Sequence, residues 1–100
     1  MEEKKQINIE IKPEIAGGKY SNLAIISHSH SEFVLDFAGM FPGQNKPEVV
    51  SRVIMSPEHA KRLLAALNDN IRKYESQFGT IELPGQGNTY NMVNQNGTKS

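Results

Sequence analysis

Apolar and polar residues alternate along Ile7-Asn8-Ile9-Glu10-Ile11. A period of two is the signature of an extended strand with one buried face. Pro13 and Gly17-Gly18 then close this first predicted strand. Tyr20 to Ser27 predicts a second strand, apolar at Leu23, Ala24, Ile25 and Ile26. The polar run His28-Ser29-His30-Ser31 turns the chain. Phe33, Leu35 and Phe37, alternating with Val34 and Asp36, predict a third strand. Phe41-Pro42-Gly43 through Lys46-Pro47 is turn chemistry, and Val49 to Met55 predicts a fourth strand with Arg52 at its middle.

The period then changes to that of a helix. Ala60, Leu63, Leu64, Leu67, Ile71, Tyr74 and Phe78 form one stripe at 3.6-residue spacing. Ser56 suits the N-cap, Pro57 the first helical position and Glu58 the positive end of the dipole. Gly79 is the expected C-terminal residue with positive φ. The chain beyond, from Pro84 to Ser100, holds four Asn, two Gln, three Gly and one charge, Lys99. Such a composition offers little to offset backbone ordering and predicts a disordered tail over residues 84–100. The expectation is an α+β domain over residues 6–83, following a flexible N-terminus at residues 1–5. It has two layers in the order β-β-β-β-α: an antiparallel sheet of about four strands packed on one long C-terminal helix.

The layers match in length but not in width. A helix over 57–77 is on the order of 30 Å long, as are strands of eight or nine residues. Four strands are about 19 Å wide, and one helix, about 10 Å across, covers half of them. The second strand is apolar on both faces (Leu23 and Ile25; Ala24 and Ile26), and so is the fourth (Val49 and Val53; Val50 and Ile54). Two-faced strands call for burial on both sides, so a homo-oligomer is expected, a dimer first. Ala24, Ile26, Val34, Met40, Phe41, Val50 and Ile54 are the expected protein-contact residues.

Composition narrows the function. Lys+Arg and Asp+Glu number 11 each, a formal net charge of zero, whereas a general polyanion binder carries a basic excess. The chain has no Cys, which excludes a disulfide, a thiolate zinc site and a cysteine nucleophile together. Hydrophobic residues make up only 37% and mean hydropathy is −0.52, low for a small domain standing alone. No apolar run approaches the roughly 20 residues that cross a bilayer. MEEKKQINIEIK lacks the apolar stretch of a signal peptide, so a cytoplasmic protein without a membrane role is expected.

The chemistry on offer is sparse. His28 and His30 with Glu32 would share a face if all three lay in one strand, as a metal pair with a carboxylate; a polar turn is the plainer reading. Ser27, Ser29 and Ser31 lie beside these histidines without a nucleophile elbow or oxyanion signature. Asp36 and Glu32 could pair as carboxylates, but nothing sets them around a pocket. Gly17-Gly18 lacks the GK[ST] and following helix of a phosphate loop. Lys61, Arg62, Arg72 and Lys73 on the helix are the candidate polyanion contacts. Intrahelical pairing, with Asp69 four residues before Lys73, is the competing reading. No catalytic, cofactor or metal residue is assigned.

Ser56-Pro57-Glu58-His59-Ala60-Lys61-Arg62-Leu63-Leu64, followed by Leu67, Tyr74-Glu75 and Phe78-Gly79, resembles a small prokaryotic family, domain of unknown function 3467. His28-Ser29, Glu32-Phe33 and Leu35-Asp36-Phe37 fit it as well. The resemblance covers roughly Asn8 to Leu83 and implies no activity, cofactor or catalytic residue. In architecture alone, four antiparallel strands and a long helix look like the export chaperone SecB. The expected function is a non-enzymatic, self-associating module that binds another protein, in its narrower form a holder of unfolded or extended chains. Nucleic-acid association through the basic helix face of an oligomer is the alternative.

Overall fold

The computed structural model describes residues 7–84 and 89–91. After a one-turn helix, α1 (Pro13–Ala16), come β1 (Leu23–His28), β2 (Phe33–Gly39) and β3 (Glu48–Met55). A long helix, α2 (Pro57–Phe78), and a short strand, β4 (Thr89–Asn91), follow. The sheet order is β3-β2-β1-β4, with β1, β2 and β3 antiparallel and β4 parallel to β1.

Three strands, not four, make the antiparallel sheet. Residues 7–11 pair with none of the described residues, and Ile7, Ile9 and Ile11 are exposed. Alternation selects which side chains would share a face, but a strand exists only where a neighbour completes its ladder. Past this segment, the Lys12 carbonyl accepts from the N–H groups of Ile15 and Ala16 and winds the chain into α1. β1 starts three residues later than expected because side chains take over the ladder's work. The Ser21 hydroxyl shares its one proton between the carbonyls of Leu23 and Ala38, at 3.0 and 2.9 Å. The Asn22 amide clamps Met40, accepting from its N–H and donating to its carbonyl, both at 3.0 Å. Thr89–Asn91, placed with the tail by composition, lie in the sheet against Ala24–Ile26; residues 85–88 and 92–100 fall outside the described residues, as do 1–6.

The β1–β2 hairpin turns on Ser29. Its N–H donates to the Glu32 carbonyl at 2.9 Å, and its Oγ accepts from the N–H groups of Ser31 and Glu32, both at 3.3 Å. The register pairs Leu23 with Ala38 and His28 with Phe33. Between β2 and β3, Phe33 faces Met55 and Asp36 faces Arg52. A bulge between Phe37 and Ala38 then brings Val49 opposite Ala38. Alternation gathers Ala24, Ile26, Phe33, Leu35, Phe37, Val53 and Met55 on one face. Leu23, Ile25, Val34, Asp36, Ala38, Arg52 and Ile54 share the other.

Among the described residues, the only buried hydrophobic side chains are Leu35 and Ala38, both on β2. No residue of α2 is buried. The first three turns of α2 stand beside the Leu35 face, yet its stripe stays open along its length: Leu64 is 67%, Ile71 38% and Phe78 66% exposed.

The helix ends follow the sequence closely. Ser56 Oγ accepts from the His59 N–H at 3.1 Å, and Pro57 fills the first position. At the far end Gly79 adopts φ 103° and donates its N–H to the Glu75 carbonyl at 2.9 Å. Replacing Ser56 with Ala strands the His59 N–H and is expected to lower unfolding free energy by about 1 kcal/mol. Urea denaturation of both proteins checks this; coincident curves would show that the cap contributes nothing.

Candidate contact surfaces

The strongest polar contact on the sheet crosses from β2 to β3. Arg52 Nε lies 2.6 Å from Asp36 Oδ1, and Nη2 lies 2.9 Å from Oδ2. Both side chains leave the sheet on the Ile54 face, directly opposite one another in register. The fork geometry matches the planar carboxylate at both oxygens. Hydrogen bonding from Arg52 holds the Asp36 carboxyl below its ordinary value, against the opposing push of desolvation and with added help from the guanidinium charge. The charge is half-hidden: the Asp36 side chain is 12% exposed and that of Arg52 62%. Neither residue was paired in the sequence. The signal was available in the numbering, since once Phe33 faces Met55 each step along β2 and back along β3 preserves the sum, and 36 meets 52.

Around this ion pair the face is apolar. Val34 lies opposite Ile54, which is 54% exposed. Val49 and Val50, doubled by the bulge, are exposed at one end. Among the described residues no helix or strand lies across this face. The opposite face is partly roofed. The α1 turn, with Ile15 and Gly17-Gly18, stands over Phe37, Ser51 and Val53. The start of α2 stands over Ile26, Phe33, Leu35 and Met55, with a cleft between helix and sheet edged by Ala60, Leu63, Leu64 and Leu67.

The expected contact residues therefore divide. Val34 and Ile54 sit together on the open face. Ala24 and Ile26 sit on the opposite one, Ile26 lining the cleft. Val50 marks the bulge. Met40 and Phe41 lie beyond β2, each 42% exposed. The Phe41 ring lies on Gly39, so close that a Cβ there would sit 2.6 Å from Cε2, and it tilts against Tyr20 at 6.1 Å between centroids. Only a glycine at position 39 leaves room for that ring.

The polar candidates are dispersed. His28 closes β1 and stacks on Phe33 at 5.2 Å, while His30 and Glu32 lie in the turn, so the three share no strand face. Among the described residues no three His, Asp or Glu side chains come together as metal ligands. Asp36 is committed to Arg52, and no carboxylate pair with Glu32 forms. On α2, Arg62 pairs with Glu58 at 2.8 Å and Lys73 with Asp69 at 3.2 Å, both four residues apart. Lys61 and Arg72 enter none of the ion pairs among the described residues. No described helix is long and apolar enough to cross a membrane.

A three-stranded antiparallel sheet, extended by a short parallel strand and followed by a long helix with a bare apolar stripe, defines a small α+β domain whose apolar side chains mostly face outward. The chain belongs to the family described as protein of unknown function DUF3467, whose sequence profile matches residues 1–83. The match thus takes in the first residues, which the resemblance had left out. No curated protein and no solved structure matches the chain, and the expected likeness to SecB is not shown: it called for four antiparallel strands before the helix, where the chain has three.

The ion pair sets an acid dependence. Because the folded Asp36 carboxyl titrates below its unfolded value, it contributes stability that is complete above about pH 3.9 and is lost as pH falls through the lowered folded value. Asp36→Asn is expected to lower the melting temperature at pH 7 and to flatten the loss of stability between neutral and acid pH. Melting curves from pH 7 to pH 2 check this. Parallel losses in the two proteins would show that Asp36 is not the group responsible.

Proposed function

We propose that this protein is a non-enzymatic protein-interaction module that self-associates and holds extended or unfolded segments of other chains. One observation carries the reading: the apolar stripe of α2 is exposed, and among the described residues no helix or strand lies across the Val34–Ile54 sheet face, where Ile54 is also exposed. Monomers seldom expose contiguous apolar area on this scale unless it has a partner. The two surfaces point different ways. α2 stands on the Leu35 side of the sheet, so a contact made through the helix leaves the Val34–Ile54 face free.

That face suits an extended guest. β3 is an edge strand of eight residues, with Ile54 on this face and Val49 and Val50 at its bulge. Its outer N–H and C=O groups can take another strand, and the adjoining apolar side chains can take alternate guest residues. The Asp36–Arg52 pair gives the face one polar fixed point. A polyanion reading is weaker here, because two of the four helix cations, Arg62 and Lys73, are already engaged with carboxylates. A cytoplasmic setting fits this role.

The test is light scattering from a chemically denatured model protein diluted into buffer with an equimolar amount of the full chain. Scattering is expected to fall. Ile54→Asp, which puts a charge on the exposed face, is expected to abolish much of the effect, with far-ultraviolet circular dichroism confirming that the variant is folded. Undiminished aggregation with the wild-type chain contradicts the reading. Salt-sensitive retention on a polyanion column would favour nucleic acid instead.

A further inference from the structure

The geometry points to a specific occupant for the bare stripe of α2: the α2 helix of a second copy, running antiparallel and centred on Asp69. This rests on the self-association proposed above and gives it a surface, a direction and a register.

Ala60, Leu64, Leu67, Ile71, Tyr74 and Phe78 are spaced alternately four and three residues apart. That is the seam of a left-handed helix pair, a narrower pattern than a generic amphipathic face. Ala60 is half-buried and the other five are exposed; Leu64 is 67% and Leu67 55% exposed although the sheet stands nearby. A seam of under three full repeats is short for a free-standing coiled coil. Here the sheet supplies the remainder: a helix laid on the seam also enters the cleft against Phe33 and Met55.

The seam fixes the occupant through its flanks. With two helices antiparallel about residue 69, Leu67 lies opposite Ile71 of the second copy and Leu64 opposite its Tyr74. Ala60 lies opposite Phe78, so the smallest seam residue meets the largest at each end. The flanking position places Lys61 beside Glu75 of the second copy, once at each end, and Asn68 beside Asn68. Lys61 has no ion pair among the described residues. Glu75 uses Oε2 to accept from the Ile81 N–H at 2.9 Å, which leaves Oε1 for the incoming ammonium. A parallel, in-register pair offers none of this. It sets Ala60 on Ala60 and Phe78 on Phe78, and it puts Lys61 beside Ser56 and Glu75 beside Asn70. Opposite charges at flanking positions are what select orientation in helix pairs. Tyr74 and Phe78, already in contact at 5.0 Å between centroids, then form a single aromatic plug that closes the other copy's cleft.

The chain's lack of cysteine makes the test direct. Light scattering gives the mass of the 100-residue chain in solution. Asn68→Cys and Ala60→Cys are each treated with a short bismaleimide. A dimer that crosslinks through Cys at position 68, and not through Cys at position 60, is the expected result. In the antiparallel pair the two copies of residue 60 lie about 27 Å apart at 1.5 Å per residue. Crosslinking through position 60 means a parallel pair and overturns the inference. A dimer that crosslinks at neither position uses another surface, which overturns the inference while self-association stands. A monomer at about 100 μM overturns both. Lys61→Glu and Glu75→Lys are each expected to weaken dimerisation, and the double variant to restore most of it. Loss of the Ile81 hydrogen bond alone cannot produce that restoration. No rescue in the double variant likewise overturns the register.

Discussion

A strand hydrogen-bonded on both sides gives its side chains neighbours in every direction within the sheet, and β2 is such a strand. All four buried residues of the described chain, Leu35, Asp36, Ala38 and Gly39, belong to it. β1 and β3 take their register from it. Its one charged residue is matched across the ladder by Arg52. Elsewhere the order comes from backbone geometry and short-range bonds: the Ser29 turn, the Asn22 clamp on Met40, and the capped ends of α2. A chain of low hydropathy can specify a fold in this way with very little interior, provided that interior is concentrated on one central strand.

The helix was the most legible element, because everything that defines it is local. Ser56, Pro57 and Gly79 mark its ends through bonds to residues no more than four away, and the stripe is a matter of spacing. β2 and β3 were legible for the same reason, each lying between turns that can be read directly. Ile7–Ile11 shows the opposite case. Its alternation is as clean as any in the chain, yet none of the described residues pairs with it. Periodicity describes a face, and pairing is a relation between segments far apart in sequence. β4 was illegible for the complementary reason: three residues in a polar, Gly-rich stretch carry no period at all.

The apolar side chains of the sheet were legible as composition and less so as geometry. Two-faced strands rightly signalled that apolar side chains would point both ways. They did not say that Ala24 and Ile26 would lie on one face and Val34 and Ile54 on the other, which only the register decides. The width comparison expected a helix too narrow for its sheet. What the chain has is a helix that scarcely settles on the sheet at all, so the uncovered area includes the helix's own stripe. The intrahelical pairing of Arg62 and Lys73 was foreseeable, since four-residue spacing brings such side chains together without any tertiary contact.

The bulge beside Val49 and Val50 bears on how an edge strand escapes its own chemistry. A regular eight-residue edge is a template: whatever copies its spacing can continue the row, and a second such edge extends it without end. At the bulge, two residues of β3 answer one of β2, so the strand's pleat loses step with itself part-way along. An incoming strand can keep step with residues 51–55 or with the stretch before the bulge, but not with both. The defect thus works as a stop in the lattice, turning a potential fibre seed into a site of finite length.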